Sequence, residues 1–333
     1  MKLIRSSAAL IGAALLISPL AGQAPAPVAA PVAGVDAPDT VIDFGADAFA
    51  RMTVPVSIDG RGPYRFIVDT GAERTVIARE LARQLDLGAG RTARVHSMSE
   101  VSEVGTVVIP ALEVAGKMVR GIHAPALARR HLGAEGMLGV DSLKAQRVSF
   151  DFVRQKMTVT PSTRREEKWE DDGIVVTGRS RFGQLILVDA SVDGQKVWVI
   201  IDTGSQATIG NSALRRKLER KGRMGQTYKV QLTSVTGGTI SADQATARRI
   251  RIGGVAMTEM PVAFADVHPF RKLDLMDRPA LLLGMDALQM FDRVSVDFAR
   301  RRVRMLTPGR SQRGILGQFA MAGPAGTAGR AVR

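Results

Sequence analysis

The run Phe66-Ile67-Val68-Asp69-Thr70-Gly71-Ala72 returns later in the chain as Val199-Ile200-Ile201-Asp202-Thr203-Gly204-Ser205. Each copy is a continuous apolar run, as expected of a strand buried on both faces, that ends on one carboxylate followed by a glycine. Two such copies arise by chance in about one chain in a thousand. The repeat therefore constrains the fold: two similar lobes, each delivering one aspartate from the end of a buried strand.

The flanking sequence repeats with it. Residues 51–58 alternate in polarity, Asp59-Gly60 signals a tight hairpin, and residues 64–68 form the next strand. In the second half, residues 185–192, Asp193-Gly194 and residues 197–201 follow the same plan. Residues 78–87 carry helical spacing with Leu81, Leu85 and Ala78 on one face and Gly88 as the stop, matched later by residues 211–220 with Leu214 and Leu218 inward. Residues 91–119 and 228–252 are strand-rich, the latter interrupted by Thr236-Gly237-Gly238. Met137-Leu138-Gly139 and Leu282-Leu283-Gly284 each precede a short helix, at Asp141 and Asp286, and both halves close on a hairpin: Val148-Ser149-Phe150-Asp151-Phe152 in one, Val294-Ser295-Val296-Asp297-Phe298 in the other. Asp141 and Asp286 are expected to cap those helices. Asp59 and Asp193 are turn residues, and Trp198 is expected in the core.

The expected organisation is a signal peptide (1–24), a Pro/Ala-rich tether (25–40), an N-terminal lobe (41–163), a charged linker (164–173), a C-terminal lobe (174–308) and a disordered tail (309–333). The signal rests on Lys2 and Arg5 before the apolar stretch 8–17 and small residues to Ala24. That stretch is too short to be a comfortable membrane span. Export to the periplasm or medium is the corresponding expectation, with no membrane span after cleavage. Residues 25–50 could act as a propeptide.

Among 333 residues there is no cysteine, which excludes disulfides, thiolate metal sites and a cysteine nucleophile. His96, His123, His131 and His268 lack metal-ligand spacing, so neither metal nor cofactor is expected. The net charge is +14. The basic residues are dispersed, with clusters at Arg215-Arg216-Lys217, Arg248-Arg249 and Arg300-Arg301-Arg302 and no interleaved aromatics. This favours a solvated basic face over a nucleic-acid partner.

If the two Asp-Thr-Gly loops meet, each glycine allows a sharp backbone turn, and each threonine hydroxyl can reach across to the other lobe. Two carboxylates in contact cannot both ionise easily and share a proton. One then serves as general base to a water and the other as general acid, which is the chemistry of peptide hydrolysis without a covalent intermediate.

These residues resemble the aspartic proteases of the retropepsin-like group. Asp69-Thr-Gly-Ala-Glu-Arg-Thr-Val-Ile77 is similar to the D-T-G-A-x-x-T-x-I signature of that group, and Asp202-Thr-Gly-Ser-Gln-Ala-Thr-Ile209 leans towards the D-T-G-S form of pepsins. Leu138-Gly139 and Leu283-Gly284 resemble the second pattern, which braces the catalytic loop. The resemblance covers about residues 45–306, nearly all of the expected mature chain, and with two copies in one chain it implies an all-β bilobal fold with few short helices, working as a two-lobed monomer. It further implies Asp69 and Asp202 as the catalytic pair, Thr70 and Thr203 as ties between the loops, and Gly71, Ala72, Gly204 and Ser205 along the cleft. The flap candidates are residues 95–104 and 232–240, with tips at Ser97, Met98, Thr236, Gly237 and Gly238. The substrate the resemblance implies is an extended protein segment, expected in the envelope if the chain is exported. A peptide-binding module on the same fold that does not cut is the alternative. Ala72 offers no hydroxyl to Asp69, whereas Ser205 could serve Asp202, so Asp69 is expected to be the protonated partner. His96, within the first flap candidate, is expected at the surface.

Overall fold

The computed structural model describes residues 40–43, 45–46, 52–98, 101–114, 116–143, 146–164, 174–181, 184–187, 189–308 and 319–321. The signal segment, the tether up to residue 39, residues 165–173 of the linker and most of the tail lie outside the described residues. Within the tail, Phe319–Met321 forms a strand against Val255–Phe264.

Two β lobes result. The first is an eight-stranded sheet ordered Gly45–Ala46, Met52–Ile58, Arg61–Val68, Gly136–Leu138, Val76–Ala78, Lys117–Leu127, Val101–Val114 and Ala89–His96. Its centre is a parallel pair: Phe66, Ile67 and Val68 lie beside Gly136, Met137 and Leu138. The second lobe repeats this device, with Trp198–Ile201 parallel to Ala280–Leu283. Phe66, Ile67, Val68, Val199, Ile200 and Ile201 are all buried. Strands covered on both faces need continuous apolar sequence, and this is why neither run alternates. In each lobe a short antiparallel strand, Val76–Ala78 or Ile209–Gly210, flanks the parallel partner. The chain at each Asp-Thr-Gly is thus held between two strand ends.

The closing hairpins do not stay within their lobes. Gln146–Asp151 pairs with Arg293–Asp297 of the second lobe, Val148 facing Val296 and Ser149 facing Ser295. The two serine hydroxyls are hydrogen-bonded at 2.8 Å on the near-twofold axis. The continuous order through this seam is Thr40–Asp43, Lys156–Pro161, Gln146–Asp151, Arg293–Asp297, Arg302–Leu306, Ile174–Arg181.

The helices are short. Ser212–Arg220 is capped by Asn211, whose side chain accepts the Leu214 N–H at 2.9 Å, and it buries Leu214 and Leu218 as its spacing implies. The first helix covers only Arg79–Gln84, because Asp86 adopts a left-handed conformation (φ 54°) two residues ahead of the expected stop at Gly88. Arg129–Leu132 and His268–Lys272, for which the sequence has no apolar periodicity to mark them, form short helices at matching places in the two lobes. Trp198 is half-buried rather than core: the Arg278 and Arg179 guanidinium groups lie 5.5 and 6.0 Å from its ring centre.

Candidate active site

Asp69 and Asp202 follow directly on the two central parallel strands, and the seam between the lobes brings them into contact. Their backbone N–H groups donate to Leu138 O (3.0 Å) and Leu283 O (3.1 Å), continuing each parallel pair by one residue. Thr70 and Thr203 lock the two loops together. Each threonine N–H donates to the other's hydroxyl oxygen, at 3.0 and 3.1 Å. The Thr70 hydroxyl donates to Ile201 O at 2.9 Å, and that of Thr203 to Val68 O at 2.6 Å. The N–H and hydroxyl of each threonine, four buried polar groups in all, find their partners in the other lobe, so the tie is a condition of the fold.

The glycines serve the opposite carboxylate. A Cβ at Gly71 would lie 2.7 Å from Asp202 Oδ1, and one at Gly204 would overlap the Asp69 carboxylate. Neither glycine has a positive φ among the described residues. The sharp-turn reason expected from the sequence therefore gives way to another: close approach of a backbone to a charged group of the partner loop.

Below the loops, Gly139 and Gly284 press on main chain. A Cβ at Gly139 would lie 2.6 Å from Arg74 O, and one at Gly284 a similar 2.6 Å from the Ala207 carbonyl carbon. Val140 N–H donates to Ala72 O (2.8 Å) and Met285 N–H to Ser205 O (2.9 Å). Thr75 and Thr208, to which the sequence assigned no role, complete the brace. Their hydroxyls donate to Asp141 (2.8 Å) and Asp286 (2.6 Å), and both accept the N–H of Gly139 or Gly284 at 3.2 Å. Asp141 and Asp286 do accept an N–H in their own helical turn, from Ser142 and Ala287. Neither is a simple helix cap, because the same carboxylates also take the Thr75 and Thr208 N–H groups and so pin the two Asp-Thr-Gly loops. The repeat of Thr six residues after each Asp was the sequence signal for this.

A family model of aspartyl proteases matches the chain twice, over residues 54–142 and 188–287. Each match holds one Asp-Thr-Gly and its Leu-Gly brace. The chain belongs to the aspartyl protease family. No curated protein matches it at a significant level.

In this family member each carboxylate accepts backbone N–H groups of its own loop. Asp69 and Asp202 are each 8% exposed. Asp69 Oδ1 accepts the N–H groups of Gly71 at 2.7 Å and Ala72 at 3.0 Å. Asp202 Oδ1 accepts that of Gly204 at 3.0 Å. Burial, then the charge of Asp69 and a hydrogen bond that its side chain accepts, hold the Asp202 carboxyl well above the usual carboxylate range. Two carboxylates this close share one proton between them. The premise for placing that proton on Asp69 fails, since the Ser205 hydroxyl donates to Ala207 O at 2.8 Å and turns away from Asp202.

The cleft above the pair has a volume of about 770 Å³ and is lined from both lobes, including Ala72, Val76, Met137, Ser205 and Ile209. Its roof is the two hairpin tips. One joins Ala89–His96 to Val101–Val114, and the other joins Tyr228–Thr233 to Thr239–Ile252. They meet where Thr236 Oγ1 is hydrogen-bonded to Ser97 Oγ at 3.1 Å. Met98 packs against the second lobe's apolar cluster, and its carbonyl accepts the His268 N–H at 3.4 Å. His96 is exposed but not solitary: its ring stacks on His268 with centroids 4.4 Å apart. On the other side Gly237, with φ +94°, sits against the His131 ring, so closely that a Cβ there would meet ring Nδ1 at 2.6 Å. Each tip thus touches the short helix of the opposite lobe. Gly238 lies in the same turn, its carbonyl accepting the Ser234 N–H at 2.8 Å. Residues 99–100 of the first tip lie outside the described residues. Among the described residues no group of His, Asp and Glu has the arrangement of a metal site, and no helix is long and apolar enough to cross a membrane.

Proposed function

We propose that the chain is an aspartic endopeptidase that hydrolyses peptide bonds of extended protein segments with a water activated between Asp69 and Asp202. The observation that carries this is the interlocked pair itself: two buried carboxylates in contact, each backed by the other lobe's glycine, under a roofed cleft. With the shared proton on Asp202, Asp69 is the base that takes a proton from water. Asp202 donates its proton to the scissile carbonyl oxygen as the tetrahedral centre forms. Collapse of that centre returns a proton to the leaving amine, and the dyad is restored with one proton. Thr70 and Thr203 hold both loops at fixed separation, which keeps the reorganisation cost low.

The amino-terminal pattern supports export, so the substrates we assign are envelope or extracellular proteins. Cell fractionation with an epitope on the chain tests that part separately.

The test of the activity is cleavage of a mixed peptide library by the purified chain between about pH 4 and 7, where a carboxylate pair holds one proton. Asp69→Asn and Asp202→Asn are each expected to lower kcat/KM by about a thousandfold or more. Peptide binding without cleavage in the parent chain would favour a non-cutting binding module. Cleavage that survives either substitution would overturn the assignment of the pair.

A further inference from the structure

The two catalytic loops are near-copies through the third residue after the aspartate and differ in charge at the fourth and fifth. Asp69 is followed at those positions by Glu73 and Arg74, and Asp202 by Gln206 and Ala207. All four residues line the cleft. Glu73 is neutralised from across the cleft, its Oε1 2.8 Å from Nζ of Lys272 on the second lobe's short helix. Arg74 is exposed, and no ion pair or hydrogen bond involves its side chain among the described residues. Its main chain is fixed, because Gly139 is packed against its carbonyl. Only the guanidinium is free to meet a ligand.

We propose that the cleft is polarised and that Arg74 selects extended peptides bearing a carboxylate side chain on one side of the scissile bond. This rests on the peptidase reading for what happens after binding, but not for the binding preference itself. The argument is one of charge balance. On the first lobe's wall Arg74 and Arg94 remain once Glu73 is cancelled by Lys272 from across the cleft; on the other wall Gln206 and Ala207 carry no charge. An extended peptide crossing the site places residues before the cut against one wall and residues after it against the other, so cations confined to one wall, Arg74 beside the catalytic loop foremost, impose a one-sided preference. A guanidinium presents a planar fork that matches a carboxylate in two parallel hydrogen bonds. In open water such a pair counts for little. Under hairpin tips tied by Thr236 and Ser97 a bound peptide displaces water from the cleft, and the pair strengthens.

The experiment uses decapeptides of Ala, Val and Leu, acetylated and amidated at their ends, with Glu, Gln or Lys placed at each position in turn. Affinity is measured by fluorescence on the full-length Asp202→Asn chain, and cleavage by mass spectrometry on the parent chain. A Glu peptide should bind about tenfold tighter than its Gln twin at positions on one side only, with the Lys twin weakest. Arg74→Gln should weaken that order, Arg74→Gln with Arg94→Gln should abolish it, and Arg74→Glu should invert it at the position Arg74 contacts, with circular dichroism unchanged since both side chains are exposed. Equal affinity of the three series at every position, or an order untouched by Arg74→Glu, overturns the proposal even if peptides are cut. A preference without cleavage upholds it and instead defeats the peptidase reading. The Gln series with free carboxyl ends tests the other source of a carboxylate: if only those peptides gain affinity through Arg74, the side-chain assignment is wrong.

Discussion

At the scale of single residues, the site is defined by atoms that leave no room for alternatives. Gly204 is needed because the Asp69 carboxylate occupies the space of a side chain there. Gly204→Ala should therefore keep the fold, judged by circular dichroism, while lowering kcat about a hundredfold or more by moving Asp69 off its donors. An active Gly204→Ala chain would show that the two loops are not in contact in solution. The raised Asp202 carboxyl gives a second test, with a definite sign. As pH rises past the ordinary carboxylate value, the unfolded chain releases this proton first. The folded chain keeps it, so stability falls until the pH passes the raised value. Asp202→Asn removes the ionisation and should raise Tm at neutral pH, with no gain near pH 3. Thermal unfolding across that range checks it, and a uniform loss of Tm would contradict the assignment.

At the scale of elements, the two hairpin tips are held by the lobe they do not belong to. The contact between His96 and His268 is sensitive to charge. Burial, then His96, Lys272 and Arg271, hold His268 below the usual histidine range. The other charge at that corner is Glu73, paired with Lys272. A lowered folded value means that the contact has its full stability above the ordinary histidine pKa of about 6.5 and loses it as pH falls through the lower one. Hydrogen exchange at residues 95–98, corrected for the intrinsic pH dependence, should therefore speed up on acidification relative to the parallel strands. His268→Gln should flatten that dependence. Exchange that tracks the rest of the first lobe at every pH would show that the stack does not hold the tip.

At the scale of the whole molecule, the lobes share structure rather than merely touch. Val148 faces Val296, Ser149 bonds to Ser295, and Arg293 reaches Asp151 at 2.7 Å. The threonine tie and the dyad add further contacts that each lobe needs from the other. Unfolding should then be a single transition, with far-UV circular dichroism and the fluorescence of the second lobe's Trp198, read in a Trp169→Phe chain, changing together. Two separated transitions would mean that the seam contributes little. Val296→Asp, which would bury an unpaired charge at the seam, should lower the midpoint seen by both probes and destabilise by about 3 kcal/mol or more.

Sequence alone determined the duplication, the strand-to-aspartate layout and the family resemblance, because these depend on local apolar runs and on residue types at fixed spacing. It also marked the Ser212–Arg220 helix by its periodicity, Leu214 and Leu218 facing in. What it missed depends on distant partners. The role of Asp141 and Asp286 is set by Thr75 and Thr208, some seventy positions away. The end of the first helix is set at Asp86, where backbone conformation outranks the glycine that follows. Whether Ser205 serves Asp202 turns on where its hydroxyl points, and it points to Ala207 O. Side-chain identity said only that a hydroxyl was present. Direction and distance, which decide whether it donates to a carboxylate or to a carbonyl, exist only once the two lobes have closed on each other.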